Sequence, residues 1–353
     1  MLAVEILSFL LGIVAIVATA MPLIKKESWW IRIFDFPRLQ IFCLGLLSLA
    51  LIPFFWSGHW AEITLAVGIV VALGVQAVAI FPYTPLAKKQ AVDCRDPGSH
   101  PVFSLMVMNV HMYNRNAEKA REIVEKAKPD ILIAVETDHW WRHQFQYLEE
   151  DFPYRFSIPL ENTYGMLLYS RLKLIRAKAK YLVMDDVPSI HARVSLAGGG
   201  EFRLYAVHPR PPAPGHDDSS VHRDAELVII GKLTRQTSEP SIVAGDLNDV
   251  AWSHTTRLFQ RFSELLDPRI GRGMFNTFHA KYPLLRWPLD HIFHTGHFQI
   301  LDIKRLSYFG SDHFPIYVKL CYMPSMRHRQ EEPKASREDA ARARDKIVRS
   351  KTK

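Results

Sequence analysis

Three apolar runs open the chain: Leu2 to Ile24, Leu39 to Trp56 and Ala61 to Phe81. Each is close to the ~20 residues a helix needs to cross a bilayer. Trp29, Trp30, Trp56 and Trp60 mark their ends, where aromatic belts form. A cleaved signal peptide is a poorer reading of the first run, because no basic stretch precedes it and two more runs follow. The pattern predicts a membrane anchor over residues 1–86, with three transmembrane helices at 2–24, 39–56 and 61–81, and a linker over 87–100.

Beyond the linker the periods shorten and alternate. Phe103–Val110 reads as a buried strand. Ala117–Lys128 reads as a helix behind Asn116 as N-cap, with Ala120, Ile123, Val124 and Ala127 on one face. Ile131–Glu136, Met166–Ser170, His191–Leu196 and Phe202–His208 read as strands, the last two joined by Gly198-Gly199-Gly200. Ser220–Gln236 and Thr255–Phe262 read as helices. Ser241–Gly245, Leu289–His294, Ile300–Leu306 and Pro315–Leu320 complete the strands. The prediction is an α+β domain over 101–324: two mainly antiparallel sheets flanked by helices. No internal repeat is visible. Residues 325–353 are charged and poor in hydrophobics, which predicts a disordered tail or a loose helix.

Charge changes the picture through its location. Of the net +8, the tail from Arg327 holds ten Lys/Arg against five Asp/Glu, leaving the central domain close to neutral. A dedicated duplex-DNA binder concentrates a basic face, and none is evident here. Lys25, Lys26, Arg32 and Arg38 follow the first run and Lys88 and Lys89 the third, while the Ser57-Gly58-His59 turn has no Lys or Arg. The positive-inside rule then puts the domain in the cytoplasm. Three cysteines with no CxxC spacing exclude a structural zinc site of the common kinds. Cys94 and Cys321 flank the domain; a disulfide between them would require an oxidising compartment.

Candidate chemistry sits where apolar strands stop. They deliver Asn109, Glu136, His208, Asp246 and Asn248 (in Gly245-Asp246-Leu247-Asn248), Asp290, and Asp312-His313 (in Ser311-Asp312-His313-Phe314-Pro315). Each alone has an ordinary structural explanation as a turn or cap residue. Glu136 is the least ordinary, since a carboxylate after five apolar residues needs a partner or a metal. Mg²⁺ takes oxygen ligands and keeps several waters, so Glu136 with Asn109 makes a credible site. Phosphate-ester hydrolysis needs a water, a base to activate it and neutralisation of phosphoryl charge. His313 fits the base and Asp290 its orienting carboxylate. Asp246 and Asn248 would hold the nucleophile or leaving side, and His208 a phosphoryl oxygen. Trp140 and Trp141 line a surface or pack beneath a loop, and His216 reads as solvated.

These motifs, with Pro129-Asp130-Ile131 leading to Glu136 and Gly165-Met166-Leu167-Leu168-Tyr169-Ser170-Arg171, resemble the endonuclease/exonuclease/phosphatase superfamily over Pro101 to Tyr322. The resemblance implies a four-layer α/β sandwich. It implies a divalent metal, usually Mg²⁺ with Mn²⁺ as a substitute, held by Asn109, Glu136 and Asp312. It also implies His313 paired with Asp290, Asp246 and Asn248 positioning water and phosphate, and His208 on phosphate. Two departures stand out. His111 replaces an acidic residue common in the nucleases, and a proline-rich loop, Pro209 to Gly215, follows His208. The latter resembles a bacterial membrane branch with three N-terminal spans whose catalytic domain faces outward, against the positive-inside placement. It shifts the expected substrate toward a lipid-linked phosphate. The leading expectation is a membrane-anchored, Mg²⁺-dependent hydrolase of a phosphate ester. A tethered endo/exonuclease and a non-catalytic scaffold are the alternatives, and no oligomeric state is implied.

Overall fold

The computed structural model describes residues 2–24, 26–213, 215 and 217–352. Lys25 of the first basic loop, Pro214 of the proline-rich loop and His216 therefore lie outside the described residues. The anchor contains helices α1 (Leu2–Ala20), α2 (Trp29–Arg32), α3 (Arg38–Leu51) and α4 (Trp60–Ile80). The domain then runs β1 (Val102–Asn109), α5 (Ala117–Ala127), β2 (Ile131–Val135), α6 (His139–Gln144), β3 (Tyr154–Ile158), β4 (Met166–Ser170), β5 (Lys173–Tyr181), β6 (Pro188–Ser195), β7 (Glu201–Val207), α7 (Val221–Arg235), β8 (Ser241–Asp246), α8 (His254–Ser263), β9 (Asp290–His294), β10 (Phe298–Arg305), β11 (Ile316–Tyr322) and α9 (Arg337–Ser350).

The strands form two mixed sheets, ordered β10-β11-β1-β2-β4-β3 and β5-β6-β7-β8-β9. Their inner faces meet through Phe103, Val107, Ile133, Leu204 and Ile292. Helices α5 and α6 cover the outer face of the first sheet through Val124, Trp141 and Phe145, and α7 and α8 cover the second through Leu227, Ile230 and Phe259. Trp141 is thus core, not surface. Coverage on both faces explains why β1, β2, β4 and β8 read as unbroken apolar runs without alternation.

Each sheet is antiparallel except for one parallel pair, β1–β2 joined by α5 and β7–β8 joined by α7. Parallel strands end on the same side, so Asn109, Glu136, His208 and Asp246 are delivered to one rim. Strands β9 and β11 run antiparallel to β8 and β1, so their starts, Asp290 and the Asp312-His313 approach, reach the same rim.

In the anchor, two helices with their following turns, Leu2–Leu23 and Trp60–Tyr83, are long and apolar enough to cross a membrane, each with mean hydropathy 2.5. The expected second span is shorter: Arg38–Phe54 spans about 25 Å as a helix and follows Trp29–Asp35 at a 69° bend. Helices α1 and α3 cross closely. Ser8 Oγ donates to Ser48 O at 3.0 Å and Ser48 Oγ to Ser8 O at 2.6 Å. Gly12 permits this approach, since a Cβ there would stand 2.8 Å from Ser48 Oγ and from Leu65.

The anchor is not loosely tethered. Trp29 N–H donates to Asp218 O and Ser220 N–H to Glu27 O. Trp252 Nε1 donates to Asp35 O at 2.7 Å, and Tyr83 Oη to Ala251 O at 2.7 Å. Arg38, counted above as a free juxtamembrane charge, is buried, donating to Asp35 at 2.8 Å and to Gln76 at 3.3 Å. The tail is the larger surprise. Helix α9 starts on a capping box at Ser336 and Asp339 and docks on the domain, with Arg261 forked onto Asp339. Lys346 Nζ meets Asp224 at 2.6 Å and Glu27 at 3.3 Å, so the tail also clamps the anchor loop. A charged helix reads as unpacked until those partners are known.

Candidate active site

The rim gathers six of the eight residues singled out above through direct hydrogen bonds or close ionic contacts. Asn109 Nδ2 donates to Glu136 Oε1 at 2.8 Å and to Asp246 Oδ2 at 3.0 Å, joining the two sheets. Its Oδ1 accepts from His111 N–H, so His111 serves the site through its backbone. Glu136 sits past the end of β2 with φ 59°, which turns its carboxylate inward, where Met112 N–H also reaches it. Asp290 Oδ2 meets His313 Nδ1 at 2.8 Å, while His313 Nε2 lies 3.6 Å from Asp246 Oδ2 and His208 Nε2 lies 4.0 Å from the same oxygen. The carboxylate fixes the imidazole tautomer by accepting a hydrogen bond from Nδ1–H, which leaves Nε2 facing the cluster.

The remaining two residues act differently. Asn248 donates its backbone N–H to Asp246 Oδ1 at 2.9 Å and its side chain to Pro209 O at 3.0 Å, tying the β8 loop to the histidine loop. Asp312 is half-buried and close enough to affect Glu136 electrostatically. It falls outside both groups of potential metal donors, which are Glu136 with His208 and Asp246, and Asp246 with Asp290 and His313. Its backbone carbonyl accepts from Ala280 N–H.

Several supporting residues carry no signal a sequence could reveal. Thr277 Oγ1 accepts from the N–H groups of Leu289 and Asp290. Ser311 Oγ donates to Asn109 O and accepts from His313 N–H, linking the outermost motifs. Buried Arg269 holds His291 at 2.6 Å and forks onto Asp267, bracing β9 beneath Asp290. Arg223 bridges Asn248 O and the carboxylates of Asp224 and Asp249. The Tyr164 ring lies 5.6 Å from that of His208, tilted by 44°, and Arg210 sits over Tyr164.

Gly245 is the one position in the motif where no other residue fits. Its φ is 150°, and a Cβ would fall 1.8 Å from Val207 O in the neighbouring parallel strand. Gly245→Ala is expected to part β7 from β8 and displace Asp246. Activity should fall at least tenfold with a lowered thermal midpoint, and thermal melting alongside turnover checks both.

Burial dominates the electrostatics. It pushes Glu136 up to about 7, against the lowering effect of Asn109. It also raises Asp246, opposed by His313. Burial alone would lower His313, yet the carboxylates of Asp290 and Asp246 outweigh it and raise the imidazole to about 10. Three buried carboxylates facing two histidines are an expensive arrangement unless a cation shares it. The carboxylate oxygens of Glu136 and Asp246, with His208 beside them, suit a hard divalent ion. The donor set therefore fits one.

A sandwich of this kind, carrying such a cluster on one rim, defines a metal-dependent phosphoric ester hydrolase. Residues 106–313 match the family model described as Endonuclease/Exonuclease/phosphatase family, and the chain belongs to that family. The family works with divalent metal ions on phosphate esters and nucleic acids. The fold is similar to that of an endonuclease/exonuclease/phosphatase from Beutenbergia cavernae DSM 12333, with 18% identity, TM-score 0.52, and coverage of 64% of this chain and 72% of that one. It is similar to the human Nocturnin catalytic domain, solved with bound sulfate, with 17% identity, TM-score 0.51, and coverage of 67% and 98%. It is also similar to D. rerio TDP2 complexed with single strand DNA product, with 14% identity, TM-score 0.50, and coverage of 62% and 98%. Comparison with curated protein sequences gives no match.

Proposed function

We propose that this chain is a membrane-anchored hydrolase, using Mg²⁺ to cleave a phosphate ester at or near the bilayer. The observation that carries the reading is the joining of a complete rim cluster to an anchor whose loops pack on that same end of the sandwich. Helices α1, α3 and α4 are taken as three spans, α3 being completed by the bent segment before it.

Glu136 and Asn109 would hold the ion, with Asp312 reaching it through phosphate or water. Bound there, it would neutralise phosphoryl charge. Asp246, held by the Asn248 backbone N–H, orients the attacking water. His313 accepts its proton at Nε2, and Asp290 stabilises the imidazolium that forms. His208 donates to a phosphoryl oxygen. At about 10, His313 is charged at neutral pH while the carboxylates around it are uncompensated. Added positive charge in the cluster lowers it toward a working base.

The test is phosphate release and strand nicking by detergent-purified full-length protein in Mg²⁺. The panel holds plasmid DNA, sphingomyelin, phosphoinositides and a polyprenyl diphosphate. Turnover of a lipid phosphate supports the reading. A tethered nuclease is the second reading, suggested by the likeness to a TDP2 solved with DNA product. Nicking of DNA without lipid turnover would establish it. No turnover of any of them would leave a non-catalytic scaffold.

The loop charges favour a cytoplasmic domain. Opposing this, Cys94 and Cys321 are both buried and free, and the Cys94 thiol beside Cys321 helps burial raise it to about 12. A green fluorescent protein fused after residue 353 should fluoresce. A dark fusion together with a Cys94–Cys321 disulfide on non-reducing mass mapping would place the domain outside.

A further inference from the structure

The segment between Phe278 and Trp287 joins the active-site rim to the anchor. At one end the Phe278 ring lies 5.0 Å from that of His313, and Ala280 N–H donates to Asp312 O. At the other, Trp287 packs edge-on to Phe36 at 5.7 Å. At its tip, Gln40 Nε2, in the first turn of α3, donates to Leu284 O at 2.7 Å. That bond sets the tip level with the start of an apolar helix.

The tip is built against solvation. Lys281, Tyr282, Pro283, Leu284 and Leu285 are consecutive and all exposed, Leu284 to 82%. It is nonetheless held in one shape, since His279 N–H donates to Leu285 O and Arg286 to Ala280 O at 3.0 Å. Adjacent leucines on a fixed turn, flanked by Lys281 and Arg286, match a surface with an apolar interior and anionic headgroups. Trp30 and Ile33, on the anchor segment that leads to Phe36, are exposed as well.

We propose that the 280–286 loop dips into the bilayer's headgroup layer, forming the membrane-side rim of the active site. Through it, the phosphate of a bilayer amphiphile reaches His313 without leaving the leaflet. The substrate half of this inference rests on the function proposed above; the surface half rests on the loop alone.

The test separates them. Full-length Leu284→Cys in a Cys43→Ser background is labelled with a solvent-sensitive fluorophore, Cys94 and Cys321 being buried. It is reconstituted into phosphatidylglycerol–phosphatidylcholine vesicles carrying nitroxide lipids. A Glu201→Cys control sits at the end of β7 opposite His208. The label at 284 is expected to shift blue and be quenched at least threefold more than that at 201. Equal quenching overturns the proposal, as does a blue shift without quenching, which would mean a protein covers the tip. Quenching at 284 in a protein that turns over no lipid phosphate would keep the surface and sink the lipid reading. In Leu284→Asp, the ratio of vesicle-lipid to soluble phosphodiester turnover should fall at least tenfold; an unchanged ratio contradicts the route.

Discussion

Replacing His313 by alanine is expected to lower kcat by roughly 10²- to 10⁴-fold, the range a positioned acid–base group supplies. The reasoning is geometric first. The Nδ1 side is committed to Asp290 at 2.8 Å, so Nε2 is the only ring position turned to the cluster. It is also electrostatic, because Asp246 and Asp290 together overcome burial in raising the imidazole. The sign follows: a base works deprotonated, so in saturating Mg²⁺ the wild-type rate should climb with pH along a limb that disappears in His313→Ala. A limb that falls with rising pH would instead make His313 the proton donor to the leaving group. Asp290→Asn should reproduce much of the loss while leaving KM near the wild-type value, since the amide no longer holds the right tautomer.

The second large effect is expected from Glu136→Gln, which should weaken metal binding. Glutamine keeps the size and accepts a hydrogen bond, but carries no charge to meet a divalent ion. Half-activation by Mg²⁺ should need at least tenfold more metal. In the wild type, Glu136 is protonated below about 7, because burial raises its carboxyl. Metal must displace that proton, so apparent Mg²⁺ affinity falls as pH drops below about 7, up to tenfold per unit for one coupled proton. In the variant that dependence flattens. The same shift has a stability consequence with the opposite sign. A raised carboxyl favours the folded state least when it must ionise, so metal-free protein loses stability as pH rises from the ordinary carboxylate range toward 7. Added Mg²⁺ should restore it, and calorimetric melts at pH 5 and 8 check both directions.

The strand ends were legible because each polar residue interrupts an apolar run that both faces of a sheet must bury. Asn109, Glu136, His208, Asp246, Asp290 and His313 could therefore be named before their contacts were known. Two strands went unread. In β5, lysines and small alanines alternate, the pattern of an edge strand protected by charge, and they mask its weak apolar face. In β3, an edge strand of the other sheet, no residue is buried. Helix α9 was misjudged for a different reason: Lys346 and Asp339 look solvated until Asp224, Glu27 and Arg261 stand opposite them. Long-range pairing of charge leaves no period in a sequence. The same holds for Arg38, which reads as a membrane-flanking charge yet pairs with Asp35 in a buried junction. Braces such as Arg269 and Thr277 belong to this class too, because their value lies wholly in the strand they support.

The rim cluster, as proposed, hydrolyses phosphate esters with a divalent ion. The most direct measurement is phosphoester turnover by the detergent-purified full-length protein, before and after chelation with EDTA, and again after Mg²⁺ is restored. The account expects turnover to vanish on chelation and return with Mg²⁺. Turnover that persists at full rate after chelation would contradict it.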